Sequence, residues 1–251
     1  MPEHPSVPSA SEIAAPLHIP RVVLLACCGG GIVAHWAAFG SINSIVGAPL
    51  FYAVVSLALM VAIGVTLGFG VATLAYVVAE PRRFRTLMPG YWLPISILIE
   101  WVALLISKPW QGEPGFTRGG FAFFSAQLVE LTILNLLGAA FFIAAALLTR
   151  EPVRWKAYAW LRAAFYLFSL FDVFLSFAAA ESASWFLWSV IRFVRATPLC
   201  LGAAYLLLLP FACVQDVRKK VHRDWLHWAG IAVVLTIVLL RIMKGLMRQM
   251  M

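Results

Sequence analysis

The chain has 251 residues, 63% of them hydrophobic and 12% charged, with a mean hydropathy of +0.91 and a formal net charge of +8. Soluble domains average about 45–50% apolar and about 25% charged residues, so the composition excludes a soluble protein and describes a membrane one. A nucleic-acid partner is excluded too, because a basic surface needs a water-facing domain and the apolar stretches leave no hydrophilic block to build one.

In chain order, residues 1–20 carry five of the fourteen prolines and little that could pack, which predicts a disordered tail. Residues 21–251 then read as one all-α transmembrane domain, a polytopic integral membrane helix bundle. Hydropathy predicts seven spans, at about 21–40, 49–79, 91–107, 121–148, 157–180, 197–214 and 225–243, each long enough to cross roughly 30 Å of hydrocarbon. The second and fourth exceed a single crossing and are expected to tilt or project. Segment 184–196, SWFLWSVIRFVRA, is too short to cross alone, and its Trp and Arg content predicts an interfacial helix.

The basic residues set an orientation. Arg82, Arg83 and Arg85, then Arg150, Arg154 and Lys156, then Arg218, Lys219, Lys220 and Arg223 fall in loops that seven spans place on one side. Positive loops face the cytoplasm, which predicts a cytoplasmic N-terminus in the inner membrane. Arg241, Lys244 and Arg248 depart from this rule, since they would lie toward the outer side. The stretches starting at Leu67, Leu137 and Leu201 share Leu-Gly, an apolar run, a basic loop and a Trp at the next span, a pattern that fits three repeated hairpins after one N-terminal helix.

Several ionisable groups fall inside the spans. Glu100 lies about 13 Å past Tyr91 at 1.5 Å per residue, near mid-bilayer. Glu130 and Asp172 are expected at similar depth on the next two helices, with His35 in the outer half of the first. Ser96 and Glu100, Gln127 and Glu130, and Ser169, Asp172 and Ser176 recur at helical spacing, so each carboxylate heads a polar stripe. A charge at the bilayer centre costs about 2.5–3.5 kcal/mol on insertion scales, so such groups face inward and find partners. Glu100, Glu130, Asp172 and His35 are therefore the candidates for an ion or proton relay. The alternative is helix-joining hydrogen bonds or pairs with Arg162, Arg192 or Arg195. Arg192 and Arg195 are also candidates for an anion or lipid head group. Gly64 and Gly68 form a small-xxx-small pair suited to close helix contact.

No nucleophile elbow, phosphate loop or zinc-protease motif occurs, and Cys27, Cys28, Cys200 and Cys213 lack metal-ligand spacing. No metal or cofactor is expected. His222 and His227 lie near the basic loops, which argues against bis-histidine haem within the bilayer. Three function classes fit these residues: a small transporter or channel for a solute or ion, coupled to protons or cations through the carboxylates; a non-catalytic subunit anchoring or scaffolding a larger membrane complex; and an intramembrane lipid-modifying enzyme. Membrane lipids are expected partners in all three, and other membrane subunits in the second.

The orientation is directly testable. A reporter fused after Arg85, Arg154 or Lys220 is expected to report the cytoplasm, and one within 108–120 the opposite side. A cytoplasmic signal from 108–120 would overturn the span count.

Overall fold

The structure, a computed structural model, describes residues 19–40, 49–107, 121–180 and 185–250, without the side chains of 107, 121–129, 176–180, 185–188, 191, 195, 248 and 250. The predicted tail 1–18 and the loops 41–48 and 108–120 lie outside these residues. The described residues form seven α-helices and no strand: α1 (Arg21–Phe39), α2 (Leu50–Ala79), α3 (Pro89–Ser107), α4 (Phe121–Leu148), α5 (Val153–Ala180), α6 (Trp185–Arg218) and α7 (Trp225–Met250). A 3-10 helix, Pro81–Thr86, joins α2 to α3. All seven are long and apolar enough to cross a membrane, and the chain is an integral membrane helix bundle.

One boundary differs from the sequence-based expectation. The segment predicted as a separate interfacial helix is continuous with the sixth span in a single helix of 34 residues, with Pro198 and Pro210 inside it. A proline removes one backbone donor and crowds the preceding turn, but membrane helices accommodate it through local side-chain hydrogen bonds. Here the Thr197 hydroxyl donates to the Phe193 carbonyl at 3.1 Å, just before Pro198. At 1.5 Å per residue α6 extends about 51 Å, well beyond one hydrocarbon thickness.

α2, α3 and α7 pack on one another in the middle of the bundle. α1 covers the outer side of α2, while α4, α5 and α6 follow in sequence from α3. The third predicted hairpin is opened out: after their turn, α6 packs along α5 and α7 along α2 and α3.

Hydrocarbon gives no hydrophobic drive for helix association, so close van der Waals contact has to supply it. Between α1 and α2 the backbones touch through Gly31, Gly64 and Gly68. A Cβ at Gly68 would lie 2.1 Å from the Cys27 carbonyl oxygen, and one at Gly64 only 2.4 Å from the Ile32 Cα. The expected Gly64–Gly68 contact is thus present, and its partner is α1.

The aromatic core lies where α3, α5 and α7 begin, at what is here called the basic end. Tyr91, Trp92, Phe142, Trp155 and Tyr158 are fully buried there. Trp92 and Trp155 meet edge to face with centroids 6.5 Å apart, and Phe142 meets Tyr158 at 6.4 Å in the same manner. Such geometry sets the positive ring edge against the negative face.

α6 ends in a turn in which Lys220 N–H donates to the Val217 carbonyl at 3.1 Å and Val221 N–H to the Asp216 carbonyl at 3.0 Å. This Schellman closure needs a left-handed residue, and Lys220 fills the place with φ of 50°. A side chain in that conformation costs about 1–2 kcal/mol relative to glycine. Lys220→Gly is therefore expected to stabilise the detergent-solubilised protein by roughly 1 kcal/mol, read as a raised melting temperature. An unchanged or lowered melting temperature would show that the lysine side chain offsets its backbone cost.

Candidate functional site

Among the described residues two carboxylate–arginine centres join helices of the bundle, and they differ in how far their ion pairs are covered. The first lies at the basic end. Asp216, near the end of α6, is wholly buried and accepts at Oδ1 from Arg154 Nε at 2.8 Å and from Arg154 Nη2. Its Oδ2 accepts from Trp155 Nε1 at 3.0 Å and Arg223 Nε at 2.8 Å. Arg223 then turns its other two nitrogens onto Glu151, at 2.8 and 2.7 Å. Burial works against the Arg223 charge, but Glu151 and Asp216 outweigh it and hold the guanidinium above the ordinary arginine range.

Beside this network Asp224 caps α7, accepting the His227 backbone N–H at 2.7 Å, while its other oxygen accepts the Tyr91 hydroxyl at 2.5 Å. Gly90 N–H donates to His227 Nδ1 at 3.0 Å, which assigns the ring proton to Nε2 in a neutral imidazole. α3, α5, α6 and α7 are thus joined at one level.

The second centre lies between α1, α3 and α7. Glu100 on α3 accepts from Arg241 Nη2 on α7 at 3.1 Å. The pair is only partly covered: the Glu100 side chain is 31% exposed and that of Arg241 48%. His35 on α1 is buried within electrostatic range of Arg241. Its ring meets Phe39 at 5.6 Å, and Phe39 meets Trp101, the residue after Glu100, at 6.4 Å. His35 Nδ1 and Trp101 Nε1 are both buried without a hydrogen-bond partner. An ion pair, two unfilled polar atoms and incomplete cover make this a place that can take a water, a proton or a polar solute.

Glu100 and His35 are therefore brought to one centre. Glu130 and Asp172 fall elsewhere, on the α4–α5 hairpin, each half-buried and with interactions of its own. Counting 1.5 Å per residue from the basic end of each helix, Glu100 lies at about 16 Å, Glu130 at about 27 Å and Asp172 at about 28 Å, so the three do not share one depth. Gln127 and Ser176 on their stripes, and Arg195, lie outside the described side chains. Arg192 is exposed on α6.

Arg162 is no partner of Glu100. Its guanidinium lies over the rings of Tyr205, Phe142 and Tyr166 at 4.5, 5.0 and 5.3 Å and donates to the Tyr166 hydroxyl at 3.0 Å. Aromatic faces are the way this charge is accommodated.

Arg241, Trp101, Asp216 and Arg223 are the residues that sequence reasoning missed. Arg241 stands in LLRIM, flanked by apolar residues on both sides, which was the available signal that it belongs to a span. Lys244, its awkward neighbour, lies over the Tyr52 ring at 5.4 Å. Among the described residues no group of three or more His, Cys, Asp or Glu is placed to hold a metal.

The fold and these centres define the class as a seven-helix integral membrane protein. No protein-family model, no curated protein and no solved structure matches the chain.

The closed centre gives a stability prediction. Asp216→Ala leaves Arg154, Arg223 and the Trp155 N–H without their acceptor, and breaking a buried pair from one side costs about 3–5 kcal/mol. The melting temperature in detergent should fall markedly, and fall less for Asp216→Asn. Equal, small losses for both variants would mean that the network does not anchor the helices.

Proposed function

We propose that the protein is a small multi-pass transporter or channel of the cytoplasmic membrane, moving a small solute or ion with proton or cation coupling through Glu100. The observation that carries this reading is the incompletely covered Glu100–Arg241 pair with the unfilled His35 Nδ1 and Trp101 Nε1 beside it. A purely structural ion pair in a bilayer gains from being sealed and fully hydrogen-bonded, as Asp216 is. The open pair suits a group that must exchange its proton or partner.

In this reading, protonation of Glu100 removes its charge and releases the Arg241 guanidinium, which can then hold an anionic or polar solute. Loss of the proton restores the pair and expels the solute. His35, buried near Arg241, supplies a second proton acceptor in the same space. The basic loops support an orientation with the network end toward the cytoplasm.

A second reading, a non-catalytic subunit of a membrane complex, is favoured by α1. Gly29 and Gly30 face open space, with nothing within 4 Å of an added Cβ, so another membrane helix could approach there.

The two readings separate in reconstituted vesicles loaded with pyranine and given a potassium diffusion potential. Transport predicts proton movement faster than in empty vesicles. Glu100→Gln should reduce it at least about tenfold with abundance and melting temperature preserved, since the amide keeps size and hydrogen bonding. Flux indistinguishable from empty vesicles, together with a stoichiometric protein partner retained on purification from the native membrane, would replace transport by the subunit reading.

A further inference from the structure

A groove of about 580 Å³ opens at the basic end between the start of α5 and the end of α6. One wall is Pro152, Val153 and Arg154; the other is Phe211, Gln215 and Lys219. Phe211, Gln215 and Lys219 are successive positions four apart, so they stand in one row along α6 and its final turn. Leu207, exposed one turn deeper, continues the row.

Read from mid-membrane outward, the row passes from Leu207 and Phe211 to an amide and then to an ammonium. Across about 18 Å it is apolar, then polar, then cationic. The opposite wall sets exposed Val153 beside Arg154, so it too offers an apolar and a cationic group. Arg154 uses Nε and Nη2 on Asp216, and Nη1 has no protein partner among the described residues. Its position is fixed by that pair, so the remaining donor is held in place without further ordering cost.

We infer that this groove binds one anionic glycerophospholipid, its phosphate held by Lys219 and Arg154 and an acyl chain lying over Phe211 and Leu207. The occupant follows from the two-part lining. A free anion would use the cationic end and leave the aromatic and aliphatic walls uncovered, whereas a lipid covers both. The groove opens at the same level as the basic loops, where head groups of a membrane surface lie. Lipid held there would bridge α5 to α6, and α6 packs chiefly on α5.

The test is native mass spectrometry of delipidated full-length protein in detergent, titrated with phosphatidylglycerol, with phosphatidylcholine, or with inorganic phosphate followed by phosphatidylglycerol. One phosphatidylglycerol should bind in preference to phosphatidylcholine. Lys219→Gln should weaken that binding about fivefold, the value of one lysine contact at a membrane surface. Lys219→Arg should retain it. Lys220→Gln, which removes the same charge from the same turn outside the groove, should also leave it intact, and the melting temperature of delipidated Lys219→Gln should match the parent, separating lost binding from lost folding. Equal weakening by the Lys219 and Lys220 changes would overturn the site in favour of diffuse attraction. Equal binding of phosphatidylcholine, or complete block of phosphatidylglycerol binding by prior millimolar phosphate, would overturn the assignment to an anionic lipid.

Discussion

Hydrocarbon offers no hydrogen-bond partner, so each polar group in this chain has to be answered by another part of the chain, and Asp216 is where that demand is met most fully. Its two oxygens take four hydrogen bonds from Arg154, Trp155 and Arg223, and Arg223 passes the connection to Glu151. Removing one of these donors leaves the buried carboxylate short of a partner, and removing Asp216 strands the arginines and the Trp155 N–H. The network therefore fixes where α5 and α6 end relative to one another. Through Asp224, Tyr91 and the Gly90–His227 contact, the same level is fixed for α3 and α7.

That constraint also explains why the bundle is aromatic at the basic end and small-residue elsewhere. Once the starts of α3, α5 and α7 are drawn together, the Trp residues that open the successive spans meet: Trp92 packs on Trp155, and Trp155 on the His227 ring at 5.8 Å. Where α3 and α7 come closest there is no room for a side chain, and a Cβ at Gly230 would lie 2.1 Å from the Gly90 carbonyl oxygen. The recurring Leu-Gly, basic loop and Trp pattern records this convergence of span starts. It does not record three equivalent hairpins, because α7 leaves α6 to pack on α2 and α3.

What could be read from the sequence was what hydrocarbon dictates over a whole helix: the spans, the loops and the Gly64–Gly68 contact. Their boundaries differ by a few residues, except at the end of α7, which runs seven residues further, and at α6, where the segment expected to lie along the interface is the first part of the spanning helix. Pairing was harder to read because it depends on rotation and offset between helices distant in sequence. Glu100 could be recognised as an inward carboxylate, yet its partner is 141 positions away. Arg154 and Arg223 looked like ordinary loop cations, and nothing in their own neighbourhoods marked them as buried. The acidic residues scattered through those basic loops, Glu151, Asp216 and Asp224, were the only trace of the network.

The contrast between the two centres bears on function more than either does alone. Both are carboxylate–guanidinium arrangements, with Asp216 at the level of the basic loops and Glu100 about 16 Å from that end of its helix. Asp216 accepts four hydrogen bonds and its arginines are largely covered, whereas Glu100 has one arginine contact and partial exposure; buried polar atoms without partners lie beside both, Trp92 Nε1 and His227 Nε2 at the first and His35 Nδ1 and Trp101 Nε1 at the second. A chain able to close one such centre so thoroughly has no physical obstacle to closing the other. Arg162 is a third case: three aromatic rings cover its charge and the Tyr166 hydroxyl accepts one hydrogen bond, while its buried Nε has no partner. The incomplete cover of Glu100 and Arg241 is a cost in stability, and it is this openness, rather than the unpartnered atoms found at both places, that sets the pair apart from Asp216.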